Sequence, residues 1–125
     1  MKRILLIDND IDFVDACRNF LDAAGYEVGF ETKEENALSE IINFKPDIIL
    51  LDVIMDTETS GFTIADKICA EESLKRIPVV FLSGYFRKEI TNGKGNELSS
   101  RWENVKGLID KPVKPEALIK IIERL

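Results

Sequence analysis

The sequence predicts an α/β domain built on a five-stranded parallel sheet with helices on both faces. Short apolar runs alternate with segments of helical period from one end of the 125 residues to the other, in five successive βα units. The run Ile48-Ile49-Leu50-Leu51 is apolar at every position, which suits a central strand buried on both faces. Neither internal repeats nor low-complexity stretches interrupt the alternation. The length fits one domain, residues 1–125. Any output module is therefore expected on another polypeptide or outside these residues.

The first strand spans about Arg3 to Ile7, and a helix follows from about Asp10 to Ala24. Ile11, Val14, Cys17, Leu21 and Ala24 form its apolar stripe, and Gly25 stands where a C′ glycine ends a helix. A second, mixed strand covers about Glu27 to Glu31, as an edge strand can. A helix from about Lys33 to Phe44 turns Ala37, Leu38, Ile41 and Phe44 inward, and Pro46 marks its stop. The third strand, Ile48 to Leu51, runs into Asp52. Beyond Gly61, Phe62, Ala65, Ile68 and Cys69 give the next helical stripe. Pro78 opens the fourth strand, Val79 to Leu82, with Ser83 at its exit. Between Gly84 and Lys106, the stretch Thr91 to Asn96 is turn chemistry where a helix is due, so a broken or displaced helix is expected. Gly107 to Asp110 forms a brief fifth strand, Lys111-Pro112 a tight exit, and Pro115 begins a last helix burying Ala117, Leu118, Ile121, Ile122 and Leu125.

Composition removes several function classes. The formal net charge of −6 opposes binding to nucleic acid, whose affinity rests largely on neutralised phosphates. No apolar run approaches the roughly 20 residues that cross a bilayer, and Met1 leads through two basic residues directly into a strand, without a signal-peptide core. A cytoplasmic location is expected. Histidine is absent, which excludes imidazole general bases and the commonest zinc ligand. The two cysteines, Cys17 and Cys69, fall on apolar helix positions outside any CxxC pair and read as buried, reduced thiols.

Parallel sheets place ligands outside the carboxyl ends of their strands, near the point where strand order reverses. The polar residues there are Asp8 and Asn9 after strand one, Asp52 after three, Ser83 after four and Lys111 after five, all expected at one crevice. Two carboxylates at adjacent strand ends repel, so the pair calls for a cation beyond Lys111. Oxygen-only ligands, few and open to water, suit Mg²⁺. A carboxylate can also act as a phosphoryl nucleophile, leaving positioning and charge neutralisation as the main catalytic needs.

Four segments carry a family resemblance: Ile4-Leu5-Leu6-Ile7-Asp8-Asn9-Asp10, Ile49-Leu50-Leu51-Asp52-Val53, Val79 to Gly84, and Asp110-Lys111-Pro112. Together, in order at successive strand ends, they resemble the receiver domains of two-component response regulators over nearly the whole chain. The resemblance implies a flavodoxin-like doubly wound sheet in the order 2-1-3-4-5. It implies that Asp52 is phosphorylated, that Asp8 helps hold Mg²⁺, and that the Ile54 carbonyl is a further ligand. Ser83 resembles the switch hydroxyl, Lys111 the phosphate-pairing lysine, and Pro112 a cis proline. The expected donor is a phosphohistidine on a sensor histidine kinase or phosphotransfer protein, and the expected reader is a downstream partner or a separate output domain.

Several positions depart from the family pattern. Asn9 replaces the usual second acid, which predicts weaker Mg²⁺ binding because an amide oxygen is a poorer ligand than a carboxylate. Asp10 either compensates through its field or simply complements a helix start. The acidic loop Met55 to Gly61 has Asp56 where a proline is usual, and Gly61 comes one position late. Leu108 stands where the aromatic switch residue is expected, leaving Tyr85, Phe86 or Trp102 either to substitute for it or to pack as ordinary core or rim.

Three rival readings remain at this level. Asp8-Asn9-Asp10-Ile11 also resembles the nucleophile motif of haloacid-dehalogenase-type phosphatases, with Asp8 attacking, but leaves Asp52 unexplained. A degenerate receiver serving only as an interaction module is suggested by Asn9 and Leu108. A flavodoxin-like cofactor carrier meets an acidic first loop that repels a flavin phosphate.

Overall fold

Alternate residues of each inner strand enter two separate apolar layers, and this two-row pattern organises the fold. A computed structural model describes residues 2–55, 57, 60–84 and 101–125. Its elements run β1 (Arg3–Ile7), α1 (Ile11–Ala23), β2 (Glu27–Glu31), a 3₁₀ turn (Glu34–Asn36), α2 (Ala37–Phe44) and β3 (Ile48–Asp52). They continue with α3 (Ser60–Ala70), β4 (Val79–Ser83), β5 (Val105–Asp110) and a C-terminal helix, α4 (Pro115–Glu123). The strands form one sheet in the order β2-β1-β3-β4-β5, with every pairing parallel. This is the doubly wound, flavodoxin-like arrangement. The expected irregular helix between strands four and five, with Tyr85 and Phe86, lies outside the described residues, as do Asp56, Glu58 and Thr59 of the acidic loop.

One row of strand residues, Leu5, Ile7, Ile49, Leu51, Val79 and Phe81, packs beneath α2 and α3 against Ile41, Ile64 and Ile68. The opposite row, Ile4, Leu6, Ile48, Leu50, Val80 and Leu82, packs beneath α1 and α4 against Val14, Leu21, Leu118 and Ile122. Residues of β3 and β4 are all buried, so these strands bury both faces and can be apolar throughout. The edge strand β2 is only half-buried and keeps its mixed composition.

Asp10 caps α1 by accepting a hydrogen bond from Phe13 N–H at 3.1 Å. At the other end, Gly25 takes φ +96° and donates to Asp22 O, the left-handed stop for which glycine is suited. Ile11 and Ala24, expected inward, are exposed. The 13 residues of α1 span about 20 Å, longer than a five-residue strand of about 17 Å, so its end turns overhang the sheet. Ala117 is also exposed, one position off the Leu118–Ile122 row of α4, and Ile121 and Leu125 are half-buried. The second helix starts later than expected, with a 3₁₀ turn at Glu34–Asn36 that lacks a side-chain cap.

Helix α3 begins at Ser60, before Gly61 rather than after it. Gly61 N–H donates to Val53 O at 2.8 Å, and a Cβ at this position would lie 2.4 Å from Asp52 O and 2.7 Å from Val53 Cα. The first turn of α3 is therefore pressed against the backbone that carries Asp52, and only the lack of a side chain permits it. Trp102 is core: it stacks on Phe62 at 5.3 Å, meets Phe81 edge-on, and donates its indole N–H to Asp66 at 2.8 Å. Among the described residues, no helix is long and apolar enough to cross a membrane.

Gly61→Ala is expected to destabilise the domain by about 1–3 kcal/mol, the usual range for overpacking against atoms that must shift. Urea unfolding monitored by Trp102 fluorescence checks this.

Candidate functional site

The strand order reverses between β1 and β3, and the residues that follow β1, β3 and β5 are held by continued sheet bonding. Asp8 N–H donates to Glu31 O at 3.0 Å, Val53 N–H to Leu82 O at 3.1 Å, and Lys111 N–H to Ser83 O at 2.9 Å. Asp8 and Asp52 extend the row facing α1 and α4, as does Lys111 two residues beyond Ile109. They meet at one crevice. Lys111 Nζ lies 2.8 Å from Asp8 Oδ2 and 3.6 Å from Asp52 Oδ2.

Asp8 is fully buried, Asp52 nearly so, and Lys111 is half-buried. The inner oxygen of each acid is fixed by local backbone: Asp10 N–H donates to Asp8 Oδ1 at 2.9 Å, and Ile54 N–H to Asp52 Oδ1 at 3.2 Å. The Lys111 ammonium, at 2.8 Å, neutralises the buried Asp8 Oδ2. Asn9 is exposed, and its amide donates to Met55 O at 3.3 Å, tying the first loop to the loop after β3. The Lys111-Pro112 bond is cis, as expected.

Ser83 ends β4 on the other row, in line with Val79 and Phe81. Its hydroxyl is buried and has no hydrogen-bond partner among the described residues. The structure thus gathers Asp8, Asp52 and Lys111 directly, places Asn9 and Ile54 at their rim, and sets the Ser83 side chain on the opposite row.

Burial pushes the Asp52 carboxyl up to about 7, helped by the Asp8 charge and opposed by Lys111 and the Ile54 N–H. Burial pulls the Lys111 ammonium down, but its contacts with Asp8, Asp52 and Asp10 outweigh this and its pKa is raised. Two acids against one lysine leave the crevice net negative. Among the described residues, no three His, Cys, Asp or Glu side chains converge as a metal cage. Two buried carboxylates that share a single ammonium fit a small hard cation that completes its shell with water or substrate oxygens, which is the habit of Mg²⁺.

Sequence reasoning missed Phe13. Its ring centroid lies 4.4 Å from Lys111 Nζ, a contact across a sequence separation too long for local spacing to signal. Of the cysteines, Cys17 is buried in the α1 layer with its thiol pushed up to about 12 by burial and Asp8, against Lys111. Cys69 is only half-buried and donates to Asn104 at 3.1 Å, a correction to the expectation of two buried thiols. Burial, Asp66 and Glu103 raise its pKa.

Because the folded protein raises the Asp52 pKa from 3.8 to about 7, it binds more protons than the unfolded chain in that window. The Asp52 contribution to stability therefore falls as pH rises from about 4 to 7 and is flat above. In chelator, Asp52→Asn is expected to be more stable than wild type above pH 7, with the difference closing toward pH 4. Added Mg²⁺ raises wild type toward the variant. Thermal melts across this range check both.

The sequence matches the family described as response regulator receiver domain over residues 4–123. Similar relatives include a probable transcriptional regulator, ycf29, of Pyropia yezoensis, 27% identical across 98% of this chain and 52% of that protein. The phosphate regulon transcriptional regulatory protein PhoB of Pseudomonas aeruginosa is 27% identical across 94% of this chain and 48% of its own length. The chain thus spans about half the length of these relatives. Among solved structures, the Vibrio cholerae chemotaxis protein CheY4 aligns with a TM-score of 0.82 at 27% identity, covering 99% of this chain and 98% of that one. A CheY-like receiver domain protein from Methanospirillum hungatei JF-1 aligns at 0.80 and 26%, covering 99% and 92%. With sheet order, crevice and family match in agreement, the chain belongs to the response regulator receiver domains of two-component systems.

Proposed function

We propose that the domain is a phosphoacceptor, a signalling switch rather than an enzyme with turnover, in which Asp52 takes a phosphoryl group from a phosphohistidine. The observation that carries this reading is Lys111 Nζ set between two buried acids, 2.8 Å from Asp8 and 3.6 Å from Asp52, at the strand-order reversal. Asp52 Oδ1 is held by Ile54 N–H, which leaves Oδ2 as the attacking atom. It forms the new O–P bond as the P–N bond of the donor breaks and its electron pair returns to the imidazole. Lys111 offsets the charge gathering on the phosphoryl oxygens and keeps Asp52 oriented.

When bound, Mg²⁺ supplies the positive charge that lets both carboxylates stay ionised beside phosphate. Asp8 and Asp52, with the Asn9 side-chain oxygen and the Ile54 carbonyl, are the residues to hold it. The buried Ser83 hydroxyl, without a hydrogen-bond partner among the described residues, donates to a phosphoryl oxygen once its side chain turns toward Asp52.

The donor is a sensor histidine kinase or phosphotransfer protein. The reader is a partner protein or output domain, and the transcriptional regulators among the relatives favour a DNA-binding output outside these residues. The domain itself, at net −6, is no nucleic-acid binder, and its setting is cytoplasmic. Leu108 packs in the α2 and α3 layer without an aromatic ring, which favours a second reading, an interaction module that never takes phosphate. The family match takes away the ground for the phosphatase reading, with Asp8 as nucleophile.

Intact mass after incubation with acetyl phosphate and Mg²⁺ separates these. Wild type is expected to gain one phosphoryl group, Asp8→Ala far less and Asp52→Ala none. Label persisting on Asp52→Ala overturns the assignment of the acceptor, and an unlabelled wild type favours the interaction module. Asn9→Asp is expected to tighten Mg²⁺ binding about tenfold, since one added charge near the ion acts through a partly screened medium. Unchanged affinity in a Mg²⁺ titration sinks the proposed role of Asn9.

A further inference from the structure

We infer that Phe13 is a positioning residue for phosphoryl transfer, its ring face holding the Lys111 ammonium in the crevice. The inference rests on the phosphoacceptor reading and adds to it a residue outside the charged cluster. Phe13 lies in the first turn of α1, half-buried and packed on the α1 and α4 layer. Lys111 Nζ sits 4.4 Å from the centroid of its ring, within the range in which an aromatic quadrupole attracts a cation.

Four contacts close into a circuit around the lysine. Asp10 N–H donates to Asp8 Oδ1, and Asp10 Oδ1 accepts from Phe13 N–H. The Phe13 ring faces Lys111 Nζ, and Lys111 Nζ returns to Asp8 Oδ2. The cap that starts α1 therefore also fixes the backbone from which the ring reaches the ammonium. This matters because a lysine is a point charge on a flexible four-carbon stem, with no fixed fork to orient it. Two acids attract it but do not by themselves stop it from swinging into water. The electron-rich face of the ring covers one side of the ammonium, so Lys111 is already placed when charge develops on the phosphoryl group, which is where preorganisation accelerates a reaction.

Three replacements test this: Phe13→Leu and Phe13→Met keep apolar volume without a ring, and Phe13→Tyr keeps the ring. The first readout is the ¹H–¹³C resonance of the Lys111 ε-methylene in chelated protein without phosphodonor, which a ring face displaces upfield. The second is the initial rate of labelling by acetyl phosphate with Mg²⁺. Phe13→Leu and Phe13→Met are expected to lose the upfield displacement and to label between about threefold and tenfold more slowly, the range set by a partly desolvated cation–π contact. Phe13→Tyr is expected to retain both within about twofold. An unmoved resonance in Phe13→Leu and Phe13→Met overturns the inference, as does an unchanged rate. Equal losses in Phe13→Tyr also overturn it, since packing rather than the ring would then be at work. If wild type takes no label, the phosphoacceptor reading and the role in transfer fall together, while the resonance separately decides whether the ring holds the lysine.

Discussion

Two carboxylates that share one ammonium in a largely buried crevice are the constraint around which the domain is arranged. Lys111 lies nearer to Asp8 than to Asp52, so one acid is neutralised and the other is left under strain, with its proton affinity raised toward neutrality. An apolar sheet edge would be more stable with an uncharged side chain there, because buried ion pairs seldom repay their desolvation. Carboxylates held so close together, against the preference of a folded chain, support the proposed phosphoacceptor site. The sheet supplies the rigidity this needs. Asp8 and Lys111 are tied through their own backbone N–H groups to the neighbouring strand, as is Val53 directly after Asp52.

Much of this was legible in the residues. A strand buried on both faces has to be apolar at successive positions, so β3 and β4 announced themselves, and polar residues ending such runs had to gather at one edge. Helix ends were less legible. The 3.6-residue period tells which face of a helix is apolar but not where the helix leaves the layer it covers, which is why Ile11, Ala24 and Ala117 were expected inside and are exposed. Gly61 could be read as a turn glycine. Its true constraint, backbone of β3 within contact of its missing Cβ, belongs to tertiary structure and leaves no local mark. Phe13 was passed over for the same reason, because a ring beside a lysine 98 positions later has no signature in spacing.

Position along the strands also divides the polar residues in a way that a list of strand ends conceals. Asp8, Asp52 and Lys111 continue the row that packs beneath α1 and α4, whereas Ser83 continues the row of Val79 and Phe81 beneath α2 and α3. Phe81 is in turn one corner of a ring trio with Phe62 and Trp102. The two sides of the sheet therefore carry different members of the strand-end set.

That division makes the end of β4 the partition between two chemically different layers. Ser83 follows Phe81 on one row, while Asp52 pairs with Leu82 on the other, so the aromatic side and the acidic side meet within the last residues of a single strand.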